Sequence, residues 1–391
     1  MKPMLSRWTL LVLFVGMTSF GCGDSDGDDQ TGQDVPVTAS DVADEDLSSV
    51  ADVLDPGDGF VKNDVINQDM AIDALVPEDL VPDDLVPADL VPEELVEDVF
   101  VDIGSAAPVP FVCNHSLVAE GWNEGWSVAG KTRKFFAKLP ANTEGPIGVV
   151  FVFYGLGDSV NNFKAFFNAN PDADPDFPMA IIYPQSMALM PFGGGDSGIE
   201  WSVLKSQSGV QNPDVALFEA MLGCLNETIE VDANRIFAFG FSAGAIMTNL
   251  LHSRYPDLLS AVVSMSGAWF NDSFTVAGVN TMGMATLDWD DISYEETGTV
   301  LMTHGGATDT YGMMGIEVID FEQSAEYGIP FLKDAGRTVI DCVHNNGHTN
   351  HPGVPTGAII QFFMDHASGG VSPYAAEGNL PDWFDDSCTL M

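Results

Sequence analysis

The chain has 391 residues, enough for one large domain or two small ones, and its 58 acidic against 13 basic residues give a formal net charge of −45 at pH 7. That charge excludes nucleic acid as a partner, because the phosphates would be repelled, and it disfavours anionic lipid headgroups as a docking surface.

In chain order, residues 1–22 read as an export signal. Lys2 and Arg7 form a charged start, and Trp8 to Val15 form an apolar core too short to span a bilayer. Ser19-Phe20-Gly21-Cys22 resembles a bacterial lipoprotein signal, in which Cys22 is lipidated and becomes the new N-terminus. An ordinary signal-peptidase cut nearby is the competing reading. Either way the protein is expected to be exported, secreted or held at the bacterial cell envelope, and to touch the membrane only through its lipid. Removal of Cys22 leaves Cys113, Cys224, Cys342 and Cys388, an even number suited to two disulfides in an oxidising compartment. Three connectivities are possible. Cys113 and Cys388 bracket the folded part, so a bridge between its ends is expected, with Cys224 left to pair with Cys342. No C-x-x-C spacing supports zinc.

Residues 23–105 are crowded with Asp and Glu, and Lys62 is their only base. Such a stretch cannot bury enough apolar surface to offset its ordering entropy, so it is expected to be disordered. A five-residue repeat runs through it, from Leu75-Val76-Pro77-Glu78-Asp79 to Leu90-Val91-Pro92-Glu93-Glu94. The recurring proline rules out a helix, and the like charges favour an extended spacer. Asp24-Ser25-Asp26-Gly27-Asp28 lacks the ligand spacing of a calcium loop and reads as part of the same linker.

The composition changes at residue 106, and 106–391 read as one catalytic domain. Lys131 to Leu139 alternates like an antiparallel strand, and Ile147 to Phe153 is a continuous apolar run suited to a central parallel strand. Met179 to Tyr183 reads as another strand. Pro213 to Glu227 has helical spacing with Pro213 and Asp214 at its start. Arg235 to Phe239 precedes Gly240-Phe241-Ser242-Ala243-Gly244, and a helix-like run follows to Tyr255-Pro256. Ala261 to Met265, Thr299 to Thr303 and Arg337 to Cys342 read as further strands, and Thr356 to His366 as a closing helix. Alternating strands and helices predict an α/β class with a mostly parallel sheet flanked by helices. The stretch 268–298 is long for a connection and holds Trp269, Phe270, Phe274 and Trp289. It reads as a substrate-facing flap, or else as a packed excursion over the sheet edge.

Strand, Gly-x-Ser-x-Gly and helix together signal a nucleophile elbow, in which a strained turn raises the serine hydroxyl above the sheet. Side chains at either glycine would collide with the neighbouring strand or helix. A serine alcohol needs a base to take its proton, and the base needs a carboxylate to orient it. In α/β hydrolases these follow in the order serine, acid, histidine. The acid is expected after the strand Thr299 to Thr303, which gives Asp309. Asp320 falls in a helix-like stretch further on, and Asp290 and Asp291 precede the strand. The histidine is expected after Arg337 to Cys342, where His344, His348 and His351 lie. Gly347-His348-Thr349 sits at the turn ahead of the closing helix, so His348 is the base. Asn345-Asn346-Gly347 breaks the helix that a His344/His348 metal pair would need, so no metal is expected. His252, in the elbow helix, reads as a surface or partly packed residue. The backbone N–H groups of Ala243 and Leu156, the latter in Tyr154-Gly155-Leu156-Gly157, are the candidate oxyanion donors.

These motifs resemble those of secreted polyhydroxybutyrate depolymerases and of the feruloyl and acetylxylan esterases of carbohydrate esterase family 1. Asp232-Ala233-Asn234-Arg235-Ile236 is similar to that family's lead-in to the elbow. The resemblance covers roughly 111–388 and implies an α/β-hydrolase fold with a Ser242–His348–Asp309 triad. It further implies Leu156 and Ala243 as the oxyanion hole, no cofactor, and an ester substrate that is polymeric or bulky. Histidine is usual in that family where Tyr154 stands, glycine where Leu156 and Asp158 stand, and tryptophan or an aliphatic residue where Asn350 stands. The substrate is therefore less fixed than the chemistry. A hydrolase fold turned surface binding protein, and a serine peptidase of the same fold, are the alternatives.

Overall fold

The computed structural model describes residues 109–189, 198–203, 211–269, 298–313, 315–367 and 370–391. The signal, Cys22, the acidic linker and nearly all of the 268–298 stretch lie outside them.

Seven consecutive apolar residues make β3 (Ile147–Phe153), and all seven are buried. A strand buried on both faces belongs at the centre of a helix-covered sheet, and that is where β3 lies. Among the described residues nine strands form one sheet: β1 (Gly121–Val128), β2 (Lys131–Lys138), β4 (Met179–Pro184), β3, β5 (Val231–Phe241), β6 (Ala261–Met265), β7 (Thr299–His304), β10 (Thr338–Val343) and β11 (Cys388–Leu390), in that spatial order. Pairing is parallel from β4 through β10 and antiparallel at the two margins. A separate hairpin, β8 (Thr310–Met313) and β9 (Ile316–Asp320), follows β7.

Helices α1 (Val160–Phe166), α2 (Pro213–Thr228), α3 (Ala243–Arg254), α4 (Phe321–Asp334), α5 (Thr356–Asp365) and α6 (Pro373–Glu377) complete the unit. The start of α2 is set by its sequence. The Asn212 side chain accepts from the Asp214 and Val215 N–H groups, and Pro213 stands where no intrahelical N–H is needed. Asp214 then turns inward to pair with Arg133 of β2, with both side chains buried. Arg133 also donates to the Pro213 and Gln185 carbonyls at 2.8 and 3.0 Å, and Asp214 accepts from the Ser202 N–H at 2.7 Å. A buried pair satisfied on every side specifies an arrangement, and removal of one partner typically costs about 3–5 kcal/mol. Here it ties β2, α2 and the 199–203 segment into one unit.

The expected disulfide pairing is wrong. Cys113 is joined to Cys224, and Cys342 to Cys388. The first strand and the last occupy opposite margins of the sheet, so the two ends of the folded part do not meet. The segment around Phe111 instead crosses α2 so closely that a Cβ on Gly223 would lie 3.1 Å from the Phe111 backbone. The C-terminal strand returns to β10 with Cys388 directly opposite Cys342. Among the described residues no helix is long and apolar enough to cross a membrane.

A peptide map of the unreduced protein is expected to contain the Cys113–Cys224 and Cys342–Cys388 linked pairs. Loss of either bridge should cost about 2–5 kcal/mol in chemical denaturation. A Cys113–Cys388 peptide would contradict this topology.

Candidate functional site

The C-terminal ends of β3, β5, β6, β7 and β10 converge on one place, and the residues that follow each strand build the site. β5 ends at Phe241. Ser242 then adopts φ 55° and ψ −124°, a backbone conformation that costs a non-glycine residue about 1–3 kcal/mol, and α3 begins at the next residue. Two close approaches hold this turn. A Cβ on Gly240 would lie 2.2 Å from the Gly244 carbonyl oxygen, and a Cβ on Gly244 would lie 2.1 Å from that of Phe153. The Ser242 N–H donates to the Met265 carbonyl at 2.8 Å, which fixes the turn to β6.

The Ser242 hydroxyl lies 2.9 Å from Nε2 of His348, and Nδ1 of His348 lies 2.6 Å from Oδ1 of Asp309. The three residues are far apart in sequence, and the structure brings all of them together. His348 stacks on Phe321 at 4.6 Å and 12°, and Phe241 covers it from a second direction at 5.0 Å. These rings leave the imidazole little freedom to rotate away from the serine.

Asp309 is fully buried. Its Oδ2 accepts from the Ser266 hydroxyl and the Gly305 N–H, each at 2.7 Å. Burial pushes its carboxyl up, but the bonds from His348, Gly305 and Ser266 outweigh it and hold the group below the ordinary aspartate value. The sequence reading missed Ser266, although it stands in the tight Met265-Ser266-Gly267 stretch at the end of β6. Its φ of 48° marks a second strained turn beside the first.

The rivals for these roles are elsewhere. Asp320 ends β9 and caps α4 by accepting from the Gln323 N–H at 2.9 Å, so it is not inside a helix as expected. His344 accepts from the Asn346 N–H, while buried His351 accepts from the Gly353 N–H and bonds Ser387 at 3.0 Å. Asp290 and Asp291 lie outside the described residues. His252 is buried rather than at the surface, because α3 is enclosed on nearly every side. Burial, then the nearby Arg337 charge, push its imidazole well below its ordinary value. Among the described residues His351, Asp385 and Cys388 have the spacing of a metal site, but the Cys388 sulfur is committed to Cys342.

Beyond β3, Tyr154-Gly155-Leu156-Gly157 passes over the elbow, where a Cβ on Gly155 would lie 3.2 Å from that of Ser242. Neither the Leu156 N–H nor the Ala243 N–H has an acceptor among the described residues. Asp158 directs Oδ1 to the Ser159 N–H at 2.8 Å, at the start of α1. Burial pushes the Tyr154 hydroxyl up to about 12, so it stays a neutral hydrogen-bonding group.

A mostly parallel sheet, a Gly-x-Ser-x-Gly elbow after β5, an aspartate after β7 and a histidine after β10 define an α/β-hydrolase fold. The family model described as Phospholipase/Carboxylesterase matches residues 141–286. Acetylxylan esterase A of Emericella nidulans is 28% identical over 139 residues, 34% of this chain and 41% of that protein. Feruloyl esterase D of Neurospora crassa is 25% identical over 170 residues, 42% of this chain and 56% of that protein. The chain thus spans less than two thirds of the length of these curated relatives. Two solved structures share the fold. Native pOPH has a TM-score of 0.57 at 18% identity, covering 72% of this chain and 96% of that one. Native sOPH has a TM-score of 0.54 at 16% identity, covering 72% and 97%. The similarities fall on the esterases that the motifs resemble. The family-model match takes in Leu156 and Ser242 and stops short of Asp309 and His348, whose assignment rests on geometry.

A carboxyl whose folded pKa is depressed adds stability that is complete above its unfolded value, about 3.9, and is lost as pH falls through the folded one. Chemical denaturation of the wild type and Asp309→Asn should therefore show a clear stability gap at pH 7 that narrows at pH 3. An equal gap at both pH values would contradict this electrostatic role.

Proposed function

We propose that the chain is a serine hydrolase of carboxylic esters, with Ser242 as nucleophile, His348 as general base and acid, and Asp309 as the group that orients the imidazole. The observation that carries this reading is the unbroken line from Asp309 through His348 to a strained elbow serine. Nε2 of His348 takes the hydroxyl proton as Ser242 Oγ attacks the ester carbonyl carbon. The negative charge collects on the former carbonyl oxygen, where the N–H groups of Leu156 and Ala243 are the assigned donors. The tetrahedral adduct collapses, the alcohol leaves with the proton from Nε2, and an acyl-enzyme remains. Water repeats the cycle, giving the acid and free Ser242.

The relatives suggest the substrate class. Acetylxylan and feruloyl esterases point to acetyl or aryl esters on a bulky or polymeric alcohol, and the motif resemblance adds polyhydroxyalkanoate. The line-up of a complete catalytic set favours turnover over a binding protein that has lost activity.

Ser242→Ala is expected to lower turnover of short p-nitrophenyl esters by roughly 10³-fold or more while leaving the melting temperature nearly unchanged. His348→Ala should lose a comparable factor. Undiminished turnover in Ser242→Ala would overturn the reading, and rates on acetyl, feruloyl and hydroxybutyryl esters would identify the acyl group.

A further inference from the structure

The Tyr154-Gly155-Leu156-Gly157 turn is gripped by residues that follow β4 and whose role no motif announces. Glu200 is buried and has a φ of 63°, a left-handed conformation uncommon for a residue with a side chain. Its backbone N–H and carbonyl both bond Leu189, at 2.8 and 3.2 Å. Its carboxylate is thereby delivered beneath Tyr154-Gly155-Leu156-Gly157. Oε2 accepts from the Gly157 N–H at 3.1 Å, and Oε1 accepts from the Ser186 hydroxyl. Ser186 is held in turn: its oxygen accepts from the Tyr154 hydroxyl and the Ala188 N–H, each at 3.0 Å. The Tyr154 oxygen accepts from the Ser186 N–H and Gln185 Nε2, each at 2.8 Å. On the other side Trp201, fully buried, donates its indole N–H to the Tyr154 carbonyl at 2.9 Å.

The turn is therefore clamped at the Tyr154 carbonyl and at the Gly157 N–H by consecutive residues, Trp201 and Glu200. Between the clamps lies the Leu156 N–H, left without an acceptor among the described residues. The clamp is itself anchored, since Ser202 N–H bonds Asp214, the partner of Arg133. A carboxylate close to a forming oxyanion would oppose it electrostatically unless its charge were absorbed locally. Here the Ser186 hydroxyl and the Gly157 N–H take up both oxygens.

We infer that Glu200 is a positioning residue for the oxyanion hole: it engages the Gly157 N–H, relayed through Ser186 to Tyr154, and so fixes the Leu156 N–H for the transition state. The inference rests on the proposed ester hydrolysis. Glu200 acts through the turn, its carboxylate being engaged by the Gly157 N–H and the Ser186 hydroxyl.

The test uses the full-length protein and three variants, with p-nitrophenyl acetate as substrate and a trifluoromethyl ketone as transition-state analogue, because the ketone forms an oxyanion adduct with the serine. Glu200→Ala keeps the backbone strain and removes the carboxylate. It should lose roughly 10- to 100-fold in kcat with KM within about threefold, since small misplacements of catalytic groups have effects of that size. The inhibition constant of the ketone should rise by the same factor as kcat/KM falls. Glu200→Gln retains an acceptor for Gly157 and should recover to within about fivefold of wild type. Ser186→Ala removes the partner of Oε1 and should fall between the two, so the inference stays testable if Glu200→Ala does not fold. A folded Glu200→Ala with kcat within twofold of wild type overturns the inference, as does ketone affinity that stays constant while kcat falls. For Ser186→Ala alone, wild-type kcat and ketone affinity do the same. Absence of Ser242-dependent hydrolysis in the wild type is a separate result that removes the parent reading.

Discussion

The site depends on one contact, the approach of Gly244 at the start of α3 to the Phe153 carbonyl at the end of β3, where a Cβ would lie 2.1 Å from the oxygen. That contact lets the helix begin immediately beside the central strand. Ser242 is then held in its positive-φ turn, and the first N–H groups of α3 have no side-chain cap from Ser242. A bulkier residue at 244 would push α3 away from β3, and Ser242 would part from the turn that holds Leu156. Two backbone segments far apart in sequence thus become a single unit through the absence of a side chain.

Around this contact the electrostatics are arranged in depth. Asp309 is fully buried, and an isolated buried carboxylate is costly, yet its two oxygens accept from His348, Ser266 and Gly305. Ser266 and Gly305 leave Oδ1 free to face the imidazole, and the rings of Phe321 and Phe241 hold that imidazole in line with Ser242. Ser242, Ser266, Asp309 and His348 follow four different parallel strands, β5, β6, β7 and β10, so the geometry follows from the sheet rather than from any one loop. Polar atoms at the strand ends and apolar faces beneath them account for the fixed geometry of the site.

Much of this was legible in the sequence because it is written in local pattern. The apolar run 147–153 could only be a central strand. The glycines around Ser242 mark a turn with a defined mechanism, chain order pointed to Asp309, and the turn at Gly347-His348-Thr349 singled out His348 from two other histidines. What was hidden depends on partners distant in sequence. Glu200 meets Gly157 across 43 positions, and Ser266 meets Asp309 across the same separation. Neither residue sits in a pattern of its own. Pro330 interrupts α4 and weakens its helical signal, and the bulge between Asn123 and Trp126 breaks the alternation of β1. β11 is three residues long and exists only because β10 offers an open edge. The Cys342–Cys388 bridge follows that same edge pairing and Cys113–Cys224 follows the crossing of α2 by the segment around Phe111, and no spacing of cysteines could reveal either.

Ser242 is proposed as a nucleophile made reactive by His348. Intact-mass measurement after exposure to a fluorophosphonate probe tests it without knowledge of the natural ester. The account predicts a single covalent adduct that maps to Ser242, is absent from Ser242→Ala and forms far more slowly in His348→Ala. A protein that takes up no probe, or that still takes it up after Ser242→Ala, would contradict it.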